Sequence, residues 1–233
     1  MSYQIVKKPT NTEMCPPGYH IVKGHYRKTK DGKTWVDQHQ RKNRSKSKKL
    51  TYYPENLLYL FWNNNNKYKL LKSIKGFKGF HELDPIIQFW LEYWASKFRQ
   101  FPKIDPLLIK AIIAKESSFN PKADPKVAHS SAYGLMQIVD KSRAALSGSI
   151  KSSVSMEFIV VTRKDLEDPV INIAVGIRWL IVKFFLLKKK DRGNINKLIK
   201  YYYGHKEESE NEKYLKKILE YYNTAVKPKH ISK

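Results

Sequence analysis

The sequence predicts a mainly α-helical body behind a small basic N-terminal segment that contains a β-hairpin. Three observations predict it. Asp-Pro stands just ahead of an apolar run at 84, 105 and 168, and Asp is a favoured helix cap while Pro suits the first helical position. No strand pattern of comparable strength interrupts those runs. Ahead of residue 84, two extended-looking runs flank Asp31-Gly32, the kind of dipeptide a tight hairpin turn demands.

Taken in order, the hairpin covers about 19 to 40, and RKNRSKSKKL at 41–50 reads as a charged linker closing an N-terminal segment over 1–50. Residues 51–83, with tyrosines, an asparagine run and glycines at 76 and 79, read as a connector. Helices are expected over 85–100, 106–117, 133–146, 169–189, 194–203 and 210–224, within one catalytic domain over 84–226, followed by a tail over 227–233. A chain starting near Leu83 is therefore expected to fold alone.

Composition excludes several classes. With 41% hydrophobic residues the chain is too apolar for wholesale disorder, and no run approaches the ~20 apolar residues of a membrane span. The formal charge is +24, from 45 Lys and Arg against 21 Asp and Glu; residues 1–83 carry 18 against 5 and residues 84–233 carry 27 against 16. Such an excess points to a polyanionic partner: nucleic acid, anionic membrane, or bacterial wall. The single Cys15 excludes an internal disulfide, and the seven His show no HExxH spacing, so neither a metal nor a cofactor is expected. The first residues, MSYQIVKKPTNTEM, lack the apolar run of a secretory leader.

The chemistry centres on LLIKAIIAKESSFNP, almost entirely apolar until Glu116, which shares a face with Ile112 and Ile113. A carboxyl beside a core is disfavoured as an ion, so its pKa rises, and an acid still protonated near neutral pH is what general acid catalysis requires. The plainer alternative is a solvated helix end. Glu116-Ser117, Asn120-Pro121, Ala132-Tyr133-Gly134-Leu135-Met136-Gln137-Ile138, the Asp168-Pro169 helix with Asn172, Ile173 and Gly176, Tyr201-Tyr202-Tyr203-Gly204, and Glu210 to Leu215 follow in order. Together they resemble the signature of the soluble lytic transglycosylase domain, related to goose-type lysozyme, over roughly 103–225.

That resemblance implies a lysozyme-like helical fold. It also implies cleavage of the peptidoglycan bond between N-acetylmuramic acid and N-acetylglucosamine, with Glu116 as the one acid/base and a 1,6-anhydro product. Substrate-binding roles would fall on Ser117, Tyr133, Met136, Gln137, Tyr201, Glu210 and Tyr214, with Gly134 admitting a sugar against the backbone. Asn172 and Gly176 read as structural, the glycine permitting close packing. Tyr202 and Tyr203 depart from the family pattern, which has Asn and a small residue there. Hydrolysis, as in goose-type lysozyme, stays open.

Two further classes compete: a nucleic-acid binder, since His25, Tyr26, Arg27, Lys28 and Trp35 interleave rings with cations, and a wall-binding domain without catalysis. A wall substrate without a leader leads us to expect delivery by a phage particle, a holin or dedicated secretion machinery, with the basic front segment holding anionic wall polymers.

Overall fold

The computed structural model describes residues 6–10, 13–30, 32–42, 50–64, 66–123, 132–149 and 157–225. The body is helical: α1 (Pro54–Trp62), α2 (Asp84–Lys97), α3 (Pro106–Ser117), α4 (Asp140–Leu146), α5 (Pro169–Leu186), α6 (Ile195–Tyr203) and α7 (Glu208–Asn223). In front of it lie four strands, β1 (Tyr19–Val22), β2 (His25–Thr29), β3 (Gly32–Val36) and β4 (His39–Lys42). β1 pairs antiparallel with β4 and β2 with β3, closing at Thr29 opposite Gly32. The expected hairpin is present; Asp31 of its turn, most of the 41–50 linker and the 227–233 tail lie outside the described residues.

Helix α5 is the axis of the core. Fourteen of its 18 residues are buried, so although it is long and apolar enough to cross a membrane, its apolar surface is taken up inside the protein. α2, α1 and α6 pack around it, and α3 lies between α2 and α7. The Trp94 indole, fully buried, donates to the Ala174 carbonyl at 3.0 Å and fixes α2 on α5.

The three Asp-Pro starts were put to different uses. Asp105 accepts from the Leu107 amide and Asp168 from the amides of Val170 and Ile171, as caps do. Asp84 instead lies buried against the buried Lys110 ammonium at 2.6 Å, while its other oxygen takes the Leu71 amide and His81 Nδ1, each at 2.9 Å. Ser73 completes the chain on His81 Nε2 at 3.2 Å. The order Ser, His, Asp resembles a catalytic triad, but Ser73 is buried and the carboxylate is already paired with Lys110, so the network acts as a strut between residues 71–84 and α3.

Residues 51–83, read from the sequence as a connector, belong to the body. β5 (Thr51–Tyr52) pairs in parallel with β8 (Phe158–Ile159), and α1 packs on α5. Pro54 sits in the first turn of α1 and the Asn56 side chain accepts the Tyr53 amide at 2.9 Å; the asparagine run behind it had masked this start signal. Tyr52, Leu57, Leu58, Ile74 and Leu83 are buried. At roughly 1.5–3 kcal/mol for each fully buried large apolar side chain, this segment supplies stabilisation comparable with the ~5–15 kcal/mol net stability of a typical domain.

The expected helix over 133–146 is also revised. β6 (Ala132–Tyr133) pairs with β7 (Ile138–Val139), and only from Asp140 does a helix run. Gly134 and Gln137 take left-handed φ values of 71° and 47°, which close a turn with the Gln137 amide on the Gly134 carbonyl at 3.1 Å and forbid helix propagation.

Candidate active site

The last turn of α3 carries Glu116, facing α7. The side chain is half-buried, and Tyr214 of α7, itself buried, donates its phenolic hydrogen to Glu116 Oε1. Burial pushes the Glu116 carboxyl above the ordinary glutamate value; the Tyr214 hydrogen bond and the neighbouring Lys115 ammonium pull the other way and lose. Lys115 also lies over the Tyr214 ring, 5.4 Å from its centre. Beyond Glu116 the chain turns sharply, with Ser118 and Phe119 both left-handed at φ 52° and 64°. Phe119, buried and stacked on Phe80 at 4.4 Å, holds that turn in place.

The opposite wall comes from α6 and the Gly134 turn. Tyr203 stacks face to face on Tyr214, with centroids 4.2 Å apart and planes within 6°, and His205 stacks on Tyr203 at 5.9 Å. Asn211 sets that corner, its amide bonding both the amide and the carbonyl of His205. Tyr202, buried, donates to the Met136 carbonyl at 2.7 Å. Asn172, fully buried on α5, accepts the Met136 amide at 2.8 Å and donates to the carbonyls of Tyr133 and Leu166. The Gly134 turn is thus pinned from two helices.

Of the residues singled out in the sequence, Glu116 and Tyr214 meet directly. Ser117 bonds back to the Ile113 carbonyl at 3.1 Å and is buried. Met136 is fully buried, and its sulfur would be 2.3 Å from a Cβ added at Gly176, so Gly176 permits close packing as expected. Gly134 is needed by the protein itself, because a Cβ there would meet Asn172 Nδ2 at 2.1 Å and the Leu166 carbonyl at 2.2 Å. Gln137 donates to the carbonyls of Gly134 and Ala123, clamping the turn to the segment after α3. Tyr133 borders a cavity of about 420 Å³ with Pro121, Lys122, Gly134, Arg163 and Glu167, and the Arg163 guanidinium lies 5.3 Å over its ring.

Two residues sit elsewhere. Tyr201 is 40% exposed and lies under the Lys183 ammonium at 4.8 Å. It is one residue off the buried stripe of Leu198, Ile199 and Tyr202, and a step of one residue turns a side chain through 100°. Glu210 pairs with Lys213 at 2.7 Å in the exposed first turn of α7, and that hydrogen bond holds its carboxyl below the ordinary value. Tyr203 and Lys115 were missed: a triplet of tyrosines gives no sign of which ring faces inward, whereas the helical spacing from Leu198 would have shown that Tyr202 does. Asp140 is engaged by Arg143 and Arg163; Asp124, the other acid near Glu116 in sequence, lies outside the described residues.

A helical body of lysozyme-like form, with a half-buried carboxyl at a helix end whose pKa is raised by burial, fits a glycan-cleaving class. Residues 93–217 match the family described as transglycosylase SLT domain. The match covers more than half of the chain, and the chain belongs to that family of glycan-cleaving enzymes, whose substrate is peptidoglycan. Among curated proteins no relative matches it.

Proposed function

We propose that this protein is a lytic transglycosylase that breaks the β-1,4 bond between N-acetylmuramic acid and N-acetylglucosamine in the bacterial wall, with Glu116 as its one acid/base. The observation that carries the reading is the half-buried Glu116 carboxyl, raised in pKa by burial and oriented by Tyr214. Protonated Glu116 gives its proton to the glycosidic oxygen as that oxygen leaves the muramoyl C1. The resulting carboxylate takes the proton of the muramoyl C6 hydroxyl while O6 bonds to C1, which closes the 1,6-anhydro ring and restores the acid. An ordinary glycosidase needs a second carboxylate ~5–9.5 Å away. Among the described residues the charge bearing on Glu116 is the cation Lys115, which supports the one-carboxylate route.

Glu116→Gln keeps shape but removes the proton, and loss of general acid catalysis is expected to slow peptidoglycan cleavage at least ~10²-fold. Mass analysis of products from the unaltered protein is expected to show 1,6-anhydromuramic ends. Reducing muramic ends that carry oxygen from labelled water would make the enzyme a hydrolase, and undiminished cleavage by the variant would remove Glu116 from the chemistry.

A further inference from the structure

The hairpin ahead of the body contains a repeat: Val22-Lys23-Gly24-His25-Tyr26-Arg27-Lys28 and Val36-Asp37-Gln38-His39-Gln40-Arg41-Lys42 share Val-x-x-His-x-Arg-Lys. The ribbon relates the two copies by a local two-fold axis, with Val22 opposite His39 and His25 opposite Val36. In both copies the imidazole Nδ1 donates to the carbonyl two residues back, His25 to Lys23 at 3.0 Å and His39 to Asp37 at 2.9 Å. A carbonyl can only accept, so the Nδ1 tautomer is set in each.

Directly opposed residues of an antiparallel pair share a face. Tyr26 lies opposite Trp35, and Lys28 opposite Lys33, on one face of β2 and β3. The two pairs are about 7 Å apart along the strands. The rings meet edge to face with centroids 4.9 Å apart and stay 69% and 51% exposed. Asp37 holds the indole NH at 2.8 Å, and the indole lies across Gly24. Opposed lysines repel, and no ion pair among the described residues engages either one. Folding gains little from an oriented, water-exposed aromatic pair beside a cation pair that no described carboxylate engages; a ligand with a flat ring face and an anionic substituent would gain from both.

We propose that this face binds an anionic glycan strand, with sugar rings on Trp35 and Tyr26 and a carboxylate or phosphate at Lys28 and Lys33. The choice of glycan over nucleic acid rests on the peptidoglycan reading of the catalytic body, because one polymer then engages both parts of the chain.

The test uses the full-length protein and purified peptidoglycan sacculi, read by sedimentation. Tyr26→Ala with Trp35→Ala is expected to weaken retention about tenfold. Lys28→Gln with Lys33→Gln, which leaves the ring pair intact and guards against an unfolded hairpin, is expected to weaken it roughly fivefold in 0.05 M salt and not at all in 1 M salt. Neither double variant is expected to change cleavage of soluble glycan oligomers. Unchanged sedimentation of both variants would overturn the proposal. So would retention on sacculi alongside lost binding of oligothymidylate, which would assign the face to nucleic acid. A protein that sediments through this face yet cleaves nothing would remove the enzymatic reading and leave the binding site standing.

Discussion

The hairpin and the helical body are both basic, yet only one is built by excluding water. From Tyr19 to Lys42 no described residue is buried, whereas α5 alone buries fourteen. The hairpin is tied to the body at its base, where the Ile21 amide donates to Glu55 and the Asn56 side chain donates to the Tyr19 carbonyl. The segment between them, 51–83, was grouped by sequence with the hairpin side and by burial falls with the body. The difference teaches that charge and composition mark what a surface meets, while membership of a fold is decided by which side chains leave water.

The largest effect expected from this contrast is loss of folding when the chain is begun at Asp84. Seven buried apolar residues among those described, from Met14 to Leu83, and two of the three partners of Asp84 would go with the removed segment, a loss of the same order as the whole stability. Circular dichroism and thermal melting would check it; a cooperative melt near that of the full chain would return 51–83 to the status of a linker.

Gly134→Ala ranks next. The left-handed φ costs ~1–2 kcal/mol and the Cβ overlap with Asn172 and the Leu166 carbonyl adds ~1–3 kcal/mol, so a fall of about 2–5 kcal/mol in denaturant unfolding is expected. A neutral substitution would mean that the turn shifts freely and that Asn172 does not hold it.

Tyr214→Phe probes the site with a smaller, signed effect. The Tyr214 hydroxyl favours ionised Glu116, so its removal raises the folded-state pKa further. The alkaline limb of the rate profile, where the acid loses its proton, is expected to move to higher pH while the maximal rate falls. The same linkage has a stability side. Because the folded value lies above the unfolded one, the stability contributed by protonated Glu116 is complete below the unfolded pKa and is lost as pH rises through the folded pKa. Glu116→Gln should therefore gain stability over the unaltered protein as pH increases through that window, measured by denaturant midpoints.

The smallest effect is expected from replacing residues 23–38 by Asn-Gly between Val22 and His39, which are already cross-strand partners. No described residue removed is buried, so the melting temperature should stay within about 4 °C, equivalent to ~1 kcal/mol at this size. A larger drop would show that the ribbon tip supports the body.

Readable from the chain alone were the helical class, the α3 and α5 starts, the hairpin turn and the position of Glu116 at a helix end beside the core. These depend on signals a few residues long: a cap, a proline, a turn dipeptide, and a carboxyl at helical spacing from isoleucines. Only the tertiary structure decided that Asp84 pairs with Lys110 in place of capping, that Tyr214 and not Tyr201 meets Glu116, that Gly134 makes room for Asn172, and that 51–83 joins the core. Each of these joins residues distant in sequence, Glu116 and Tyr214 being 98 apart. Their proximity follows from how α1, α2, α3, α6 and α7 assemble with α5, and short-range propensity carries no record of that assembly.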